Sequence, residues 1–278
     1  MLPRPAIDIG VGTARRRMGA GAGAGARRGR VLVQFLDWRL VFASIAGLAA
    51  LAALVVVLLL PETLARQKRS PIHPGAVIRV LADALRHRVF TSFVLVFGLM
   101  ASAQLAFGVA GPFLYQQNLG FSPAAYGLMA LIVGVANLCG ELACGILAIR
   151  LSARRLAMGA LTVFGIGTSI LVGSGLLIGN DPWALTIGSC LALSGCGVLC
   201  PQMYGLAMGL FVRNLGLIGG LVSGIGYLVV SAAMAAVGAF HERTQTPLGL
   251  LFAACGATAF VLLAWATARY GQIRQPAH

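Results

Sequence analysis

The stretch LVFASIAGLAALAALVVVLLL, from Leu40 to Leu60, holds 21 residues without a charge or a proline. At about 1.5 Å of rise per residue it measures roughly 30 Å as a helix, the thickness of a bilayer's hydrocarbon core. A helix is the form required there, because each backbone N–H and C=O must be satisfied inside the segment where water is absent. Working outward, six more runs meet the same test: Val89 to Gln116, Ser122 to Ile149, Leu156 to Ile178, Trp183 to Phe211, Leu215 to Phe240 and Leu248 to Ala268. Six of the seven spans carry no charge, and the third carries one, Glu141. Long unalternating runs of Leu, Val, Ala and Gly argue against a transmembrane β-barrel. The fold class read from this pattern is an all-α polytopic membrane protein with seven transmembrane helices.

The spans account for a composition that is 59% hydrophobic and 10% charged, against roughly 45–50% and 25% in soluble domains. A soluble enzyme is excluded. The formal charge of +14 invites a nucleic-acid reading until its location is traced. Residues 1–36 carry seven Arg and one Asp, whereas the other fourteen basic residues sit outside the spans, in the connections and flanking stretches. The expected partner is therefore the lipid bilayer, and no nucleic acid is expected.

The connections alternate in charge. Arg66, Lys68, Arg69, Arg79, Arg86 and Arg88 follow the first span, Arg150, Arg154 and Arg155 the third, Arg213 the fifth, and Arg269 and Arg274 close the chain. Placing that side in the cytoplasm leaves only Arg39 and Arg243 outside among the basic residues beyond Trp38, which satisfies the positive-inside rule. The first span then runs from outside to inside. An Arg/Gly/Ala-rich leader, 1–36, should resist the translocation this implies. A signal sequence is one reading, though 21 apolar residues exceed the usual h-region of about 7–15. Inversion of the first helix is a second. The reading adopted is that the leader lies outside the fold and that the chain is a truncated or mis-started product.

Phe35-Leu-Asp-Trp-Arg-Leu-Val-Phe42, an apolar helix and then Leu60-Pro-Glu-Thr-Leu64 resemble the sixth helix of major facilitator transporters, in particular the Bcr/CflA (bicyclomycin and chloramphenicol resistance) drug:proton antiporters. Gly111-Pro-Phe-Leu-Tyr-Gln-Gln-Asn-Leu-Gly-Phe-Ser-Pro123 is similar to the outer end of helix seven in that family. Gly145-Ile-Leu-Ala-Ile-Arg-Leu-Ser-Ala-Arg-Arg-Leu156 looks like a degenerate copy of its loop between helices eight and nine, with Arg150, Arg154 and Arg155 as the cytoplasmic motif residues. Arg213 to Gly224 occupies the place of a further motif but departs from its wording. The resemblance covers about residues 35–270 and implies helices six to twelve of a twelve-helix transporter in a bacterial inner membrane.

The resemblance implies this organisation: a leader at 1–36, helix six at 37–64, a cytoplasmic central loop at 65–88, a C-terminal six-helix half at 89–270 and a cytoplasmic tail at 271–278. It also implies export of small lipophilic drug-like substrates, powered by the proton gradient without a cofactor. In such transporters two six-helix halves rock about a midplane site, so an N-terminal half is the partner the chain would lack.

Glu141 is the one acid inside a span, and an intramembrane carboxylate is a functional candidate by default. It is the proton-coupling candidate; pairing with a cation such as Arg150, about 13 Å further along the helix axis, is the alternative. Gln104, Asn137, Met203, Tyr204 and Tyr227 are the candidates for the substrate cavity, with Gln202 and Met208 as further groups at span depth. Amides at that depth also serve simply to bond helices together. Gly216, Gly220 and Gly224, four residues apart, mark a helix-packing or sliding face. Pro201 removes a backbone donor mid-span and is a candidate kink or gate. The six cysteines all fall in spans as small apolar groups, and no metal site or catalytic residue is expected.

A retinal-binding protein is excluded, because its Schiff-base lysine would sit in the last helix and the chain's single lysine, Lys68, lies in a connection. A non-transporting seven-helix membrane protein, receptor-like or an inactive fragment, remains as the alternative reading.

Overall fold

The computed structural model describes residues 38–59, 74–177, 179–211, 214–238 and 244–273. Every regular element among them is helical, and seven helices are long and apolar enough to cross a membrane. The chain divides into two units, Met1–Pro71 and Ile72–His278. In the first, α1 (Trp38–Leu59) is apolar all round. The second holds α2 (Pro74–Arg86), α3 (Arg88–Pro112) with a π-helical extension Phe113–Asn118, α4 (Pro123–Leu147), α5 (Ala153–Leu177), α6 (Pro182–Met208), α7 (Leu215–Gly238) and α8 (Thr246–Ile273).

The helix starts are written in local chemistry. Ser122 and Asp181 each precede a proline at the first helical turn; Ser122 Oγ accepts from Ala125 N and Asp181 from Trp183 N and Ala184 N. Side-chain acceptors here satisfy donors that a helix leaves orphaned at its N-terminus. His87 does the same for α3 through Nδ1, which accepts from Phe90 N at 3.3 Å. Inside the spans, hydroxyls bond back to the preceding turn, as in Ser102 to the Gly98 carbonyl and Thr168 to the Phe164 carbonyl, so polar side chains stay satisfied within an apolar layer.

Helices α3 and α6 form the axis of this unit. Phe90, Phe93, Val94, Met100, Ala103 and Ala110 of α3 are fully buried, as are Ala192, Cys196, Leu199 and Met203 of α6. α6 packs on α3, α4 and α5, while α3 also packs on α7 and α8. In lipid no hydrophobic force drives helices together, so association depends on close backbone approach. α6 is cut for it. A Cβ on Gly195 would stand 2.7 Å from the Ala160 carbonyl, and one on Gly197 would collide with the Asn137 carbonyl. Across the same α4 contact, a Cβ on Gly140 would collide with the Ser194 carbonyl. The helix remains continuous through Pro201, which is exposed.

Three features differ from the sequence reading. Residues 65–88, taken there as a loop, contain α2, because Val77, Val80, Leu81 and Ala84 recur at helical spacing and turn to the bundle; residues 65–73 fall outside the described ones. The span Val89 to Gln116 ends as an α-helix at Pro112, and the wider turn beyond it is closed by Leu119 N donating to the Leu114 carbonyl. The last helix continues to Ile273, into the segment read as a tail. The leader 1–36 lies outside the described residues.

Gly216, Gly220 and Gly224 have open space where their Cβ atoms would be. The close contacts of α7 are carried instead by Gly219, against Tyr204, and by Gly226, against Phe97 and Gly98. The expected packing stripe is therefore turned away from the interface by part of a helical turn. Gly197→Val should lower the melting temperature in detergent, with a cost of about 1–3 kcal/mol typical of overpacking, while Gly220→Ala should leave it unchanged; equal effects of the two substitutions would refute this division of the glycines.

Candidate functional site

The side chains singled out from the sequence fall into two groups. The first crosses three helices. Gln104 of α3 donates through Nε2 to Asn137 Oδ1 of α4 at 2.6 Å, and Asn137 Nδ2 donates to Glu141 Oε1 at 2.9 Å. Behind Gln104, the Cys200 Sγ of α6 lies 3.9 Å from Oε1 as its donor. Asn137 and Glu141 are one helical turn apart and so share a face; Gln104 reaches them because Gly197 lets α6 seat α4 tightly against its own backbone.

The direction of this chain has a chemical consequence. With its Oδ1 occupied by Gln104, Asn137 turns its NH₂ toward the carboxylate, and Glu141 receives a hydrogen bond as acceptor. Glu141 is exposed on α4, and among the described residues no ion pair is formed with it. Arg150 is exposed beyond the end of the helix, and Arg155 lines a cleft of about 420 Å³ with Leu147, Leu151, Gly159 and Ser194. Arg154 is exposed in the first turn of α5.

The second group lies between α6 and α7. The Tyr204 ring meets Phe97 edge to face with centroids 5.7 Å apart, and Tyr204 and Met208 border Gly219. Met203 is fully buried in the core. Tyr227 is exposed on α7 and joins neither group.

Sequence reasoning did not find four further polar contacts. Gln202 Nε2 donates to the Ala153 carbonyl at 2.7 Å, fastening the end of α6 to the start of α5. At the opposite end of the bundle the fully buried Gln245 donates to Ser174 Oγ at 2.6 Å, while its backbone N–H donates to Asn180 Oδ1 at 3.0 Å. Tyr115, also fully buried, shares a 2.7 Å hydrogen bond with Thr186. The signal for each was a polar residue at the border of an apolar run, but its partner is 49 to 71 residues away in sequence.

Comparison with known proteins places these observations in context. Residues 10–211 match the family model described as Major Facilitator Superfamily. The chain is also similar to the uncharacterized MFS-type transporter YdgK of Bacillus subtilis (strain 168), 26% identical over 234 residues, which are 83% of this chain. It spans 58% of the length of that curated relative.

Because one member of the α3–α4 pair without the other leaves a half-buried amide unpaired, Gln104→Leu and Asn137→Leu should each destabilise the protein more than their combination implies. Double-mutant analysis of unfolding should return a coupling of about 0.6 kcal/mol or more, the average for polar contacts between membrane helices. Strict additivity would mean that the two amides do not interact.

Proposed function

The chain belongs to the major facilitator superfamily, a family of membrane transporters and not of enzymes, and from that premise we propose that its helices are the C-terminal part of a drug:proton antiporter of the Bcr/CflA kind. Its spans make it a multi-pass membrane protein. On this reading it sits in a bacterial inner membrane with its basic connections in the cytoplasm, works against a six-helix partner half, and exports small lipophilic compounds by alternating access.

The observation that carries the proposal is the single intramembrane acid at the end of a donor chain. An ionised Glu141 in an apolar layer costs several kcal/mol unless compensated. The Asn137 amide supplies part of that compensation. A proton taken up on the carboxylate removes the charge and with it the cost of closing this face against the partner half. Return of the proton on the other side restores the acceptor that Asn137 faces. Proton movement is thereby tied to which closure is favoured, and Tyr204, Met208 and Phe97 offer the aromatic and thioether surface that suits lipophilic cargo. Whether Gly216, Gly220 and Gly224 slide, or Pro201 gates, belongs to the same reading: both lie on exposed positions of α7 and α6.

The test is transport. Expressed together with a six-helix partner half in everted membrane vesicles, the protein should drive uptake of a lipophilic antibiotic that a protonophore abolishes. Glu141→Gln should lower the proton-driven rate by about a hundredfold or more, a hundredfold being the low end of the range for a positioned proton-transfer group, without changing the amount of protein inserted. Proton-driven uptake at the wild-type rate in that variant would remove Glu141 from the mechanism.

A further inference from the structure

Helix α2 is the element that the transport reading leaves unused. One residue, His87, separates it from α3, so it lies at the mouth of a membrane span, and it packs on α3 and α7. Val77, Val80, Leu81 and Ala84 supply the inward face. Ala84 is fully buried.

The outward face is not what water would select. Ile78 is 65% exposed and Leu85 46% exposed; seven residues apart, they lie along one line of the helix. Arg79 and Arg86, each one residue further on, form the neighbouring line, and both are exposed. Arg79 Nε donates to the Gly75 carbonyl at 3.2 Å, which holds the stem of that side chain along the helix. Asp83, also exposed, lies on the far flank of the arginine line, away from Ile78 and Leu85. Arg88 opens α3 beside them, and Arg66, Lys68 and Arg69 precede the helix in sequence.

An apolar line flanked by cations, on a helix lying at the end of a membrane span, matches the chemistry of a lipid interface: acyl chains for one line and phosphate groups for the other. We propose that α2 docks on the bilayer surface, with Ile78 and Leu85 inserted at the acyl boundary and Arg79 and Arg86 held on the phosphates of anionic phospholipids. Charge complementarity selects this occupant over a second protein. A basic segment next to a span gains about 1 kcal/mol per Lys or Arg from an anionic leaflet, whereas Ile78 and Leu85 alone make too narrow a strip for a stable protein interface.

The full chain, reconstituted into nanodiscs of phosphatidylcholine alone or of equal parts phosphatidylcholine and phosphatidylglycerol, provides the test. Hydrogen exchange of the amides in residues 74–86 should slow roughly thirtyfold in the anionic discs, which is about 1 kcal/mol for each of two arginines. Arg79→Gln with Arg86→Gln should abolish that difference and leave exchange in α5 and α6 unchanged, showing that the bundle is intact. Ile78→Ser with Leu85→Ser should speed exchange in both discs. Equal rates in the two discs, or an anionic effect that survives the arginine substitutions, would overturn the proposal; so would an unaltered rate after the serine substitutions. Because the readout is local exchange, it stands or falls independently of drug transport.

Discussion

Close approach of backbones at α6 is the contact on which the rest of the second unit depends. Lipid tails are as apolar as leucine, so nothing pushes these helices together from outside, and what holds them is the contact area gained where side chains are absent. Gly195 and Gly197 of α6 admit the backbones of α5 and α4, and Gly140 answers from α4. Placing α4 so close is what carries Asn137 into reach of Gln104 on α3. The polar chain that ends on Glu141 is thus a by-product of glycine packing, and it disappears if the helices separate by even the width of a methyl group.

That arrangement divides the molecule into parts that are fixed and parts that face outward. Gln202 on Ala153 at one end and Gln245 on Ser174 at the other tie the bundle by side-chain bonds whose loss would orphan buried groups. Between them Glu141, Gly216, Gly220, Gly224 and Pro201 stand on open positions. A packed axis thus carries an acid and an open glycine surface on its exterior.

The seven spans were legible in the sequence to within a few residues, since length and the absence of charge decide them and no tertiary detail enters. Asn137 and Glu141 were each singled out, one for the cavity and one for proton coupling, but their hydrogen bond was not. Gln104 and Asn137 were both candidates but their pairing was not legible, since a contact across 33 residues depends on where glycines let helices meet. The same cause hid the close contacts of α7: three glycines at regular spacing mark a face, yet Gly219, against Tyr204 and Met208 of α6, and Gly226, against Phe97 of α3, are the ones that meet other helices. α2 escaped notice because it is short, amphipathic and rich in arginine, which reads as a loop when only hydrophobic length is measured.

The direct test of this account is spectroscopic. The chain has three glutamates, Glu62, Glu141 and Glu242, so carboxyl-labelled glutamate gives a simple carbon-13 spectrum in which Glu141→Gln identifies one resonance. The account predicts that this resonance shifts on Gln104→Leu, which removes the donor behind Asn137, and shifts likewise on Gly197→Ala, which forces α4 and α6 apart. A Glu141 signal identical in all three proteins would contradict it.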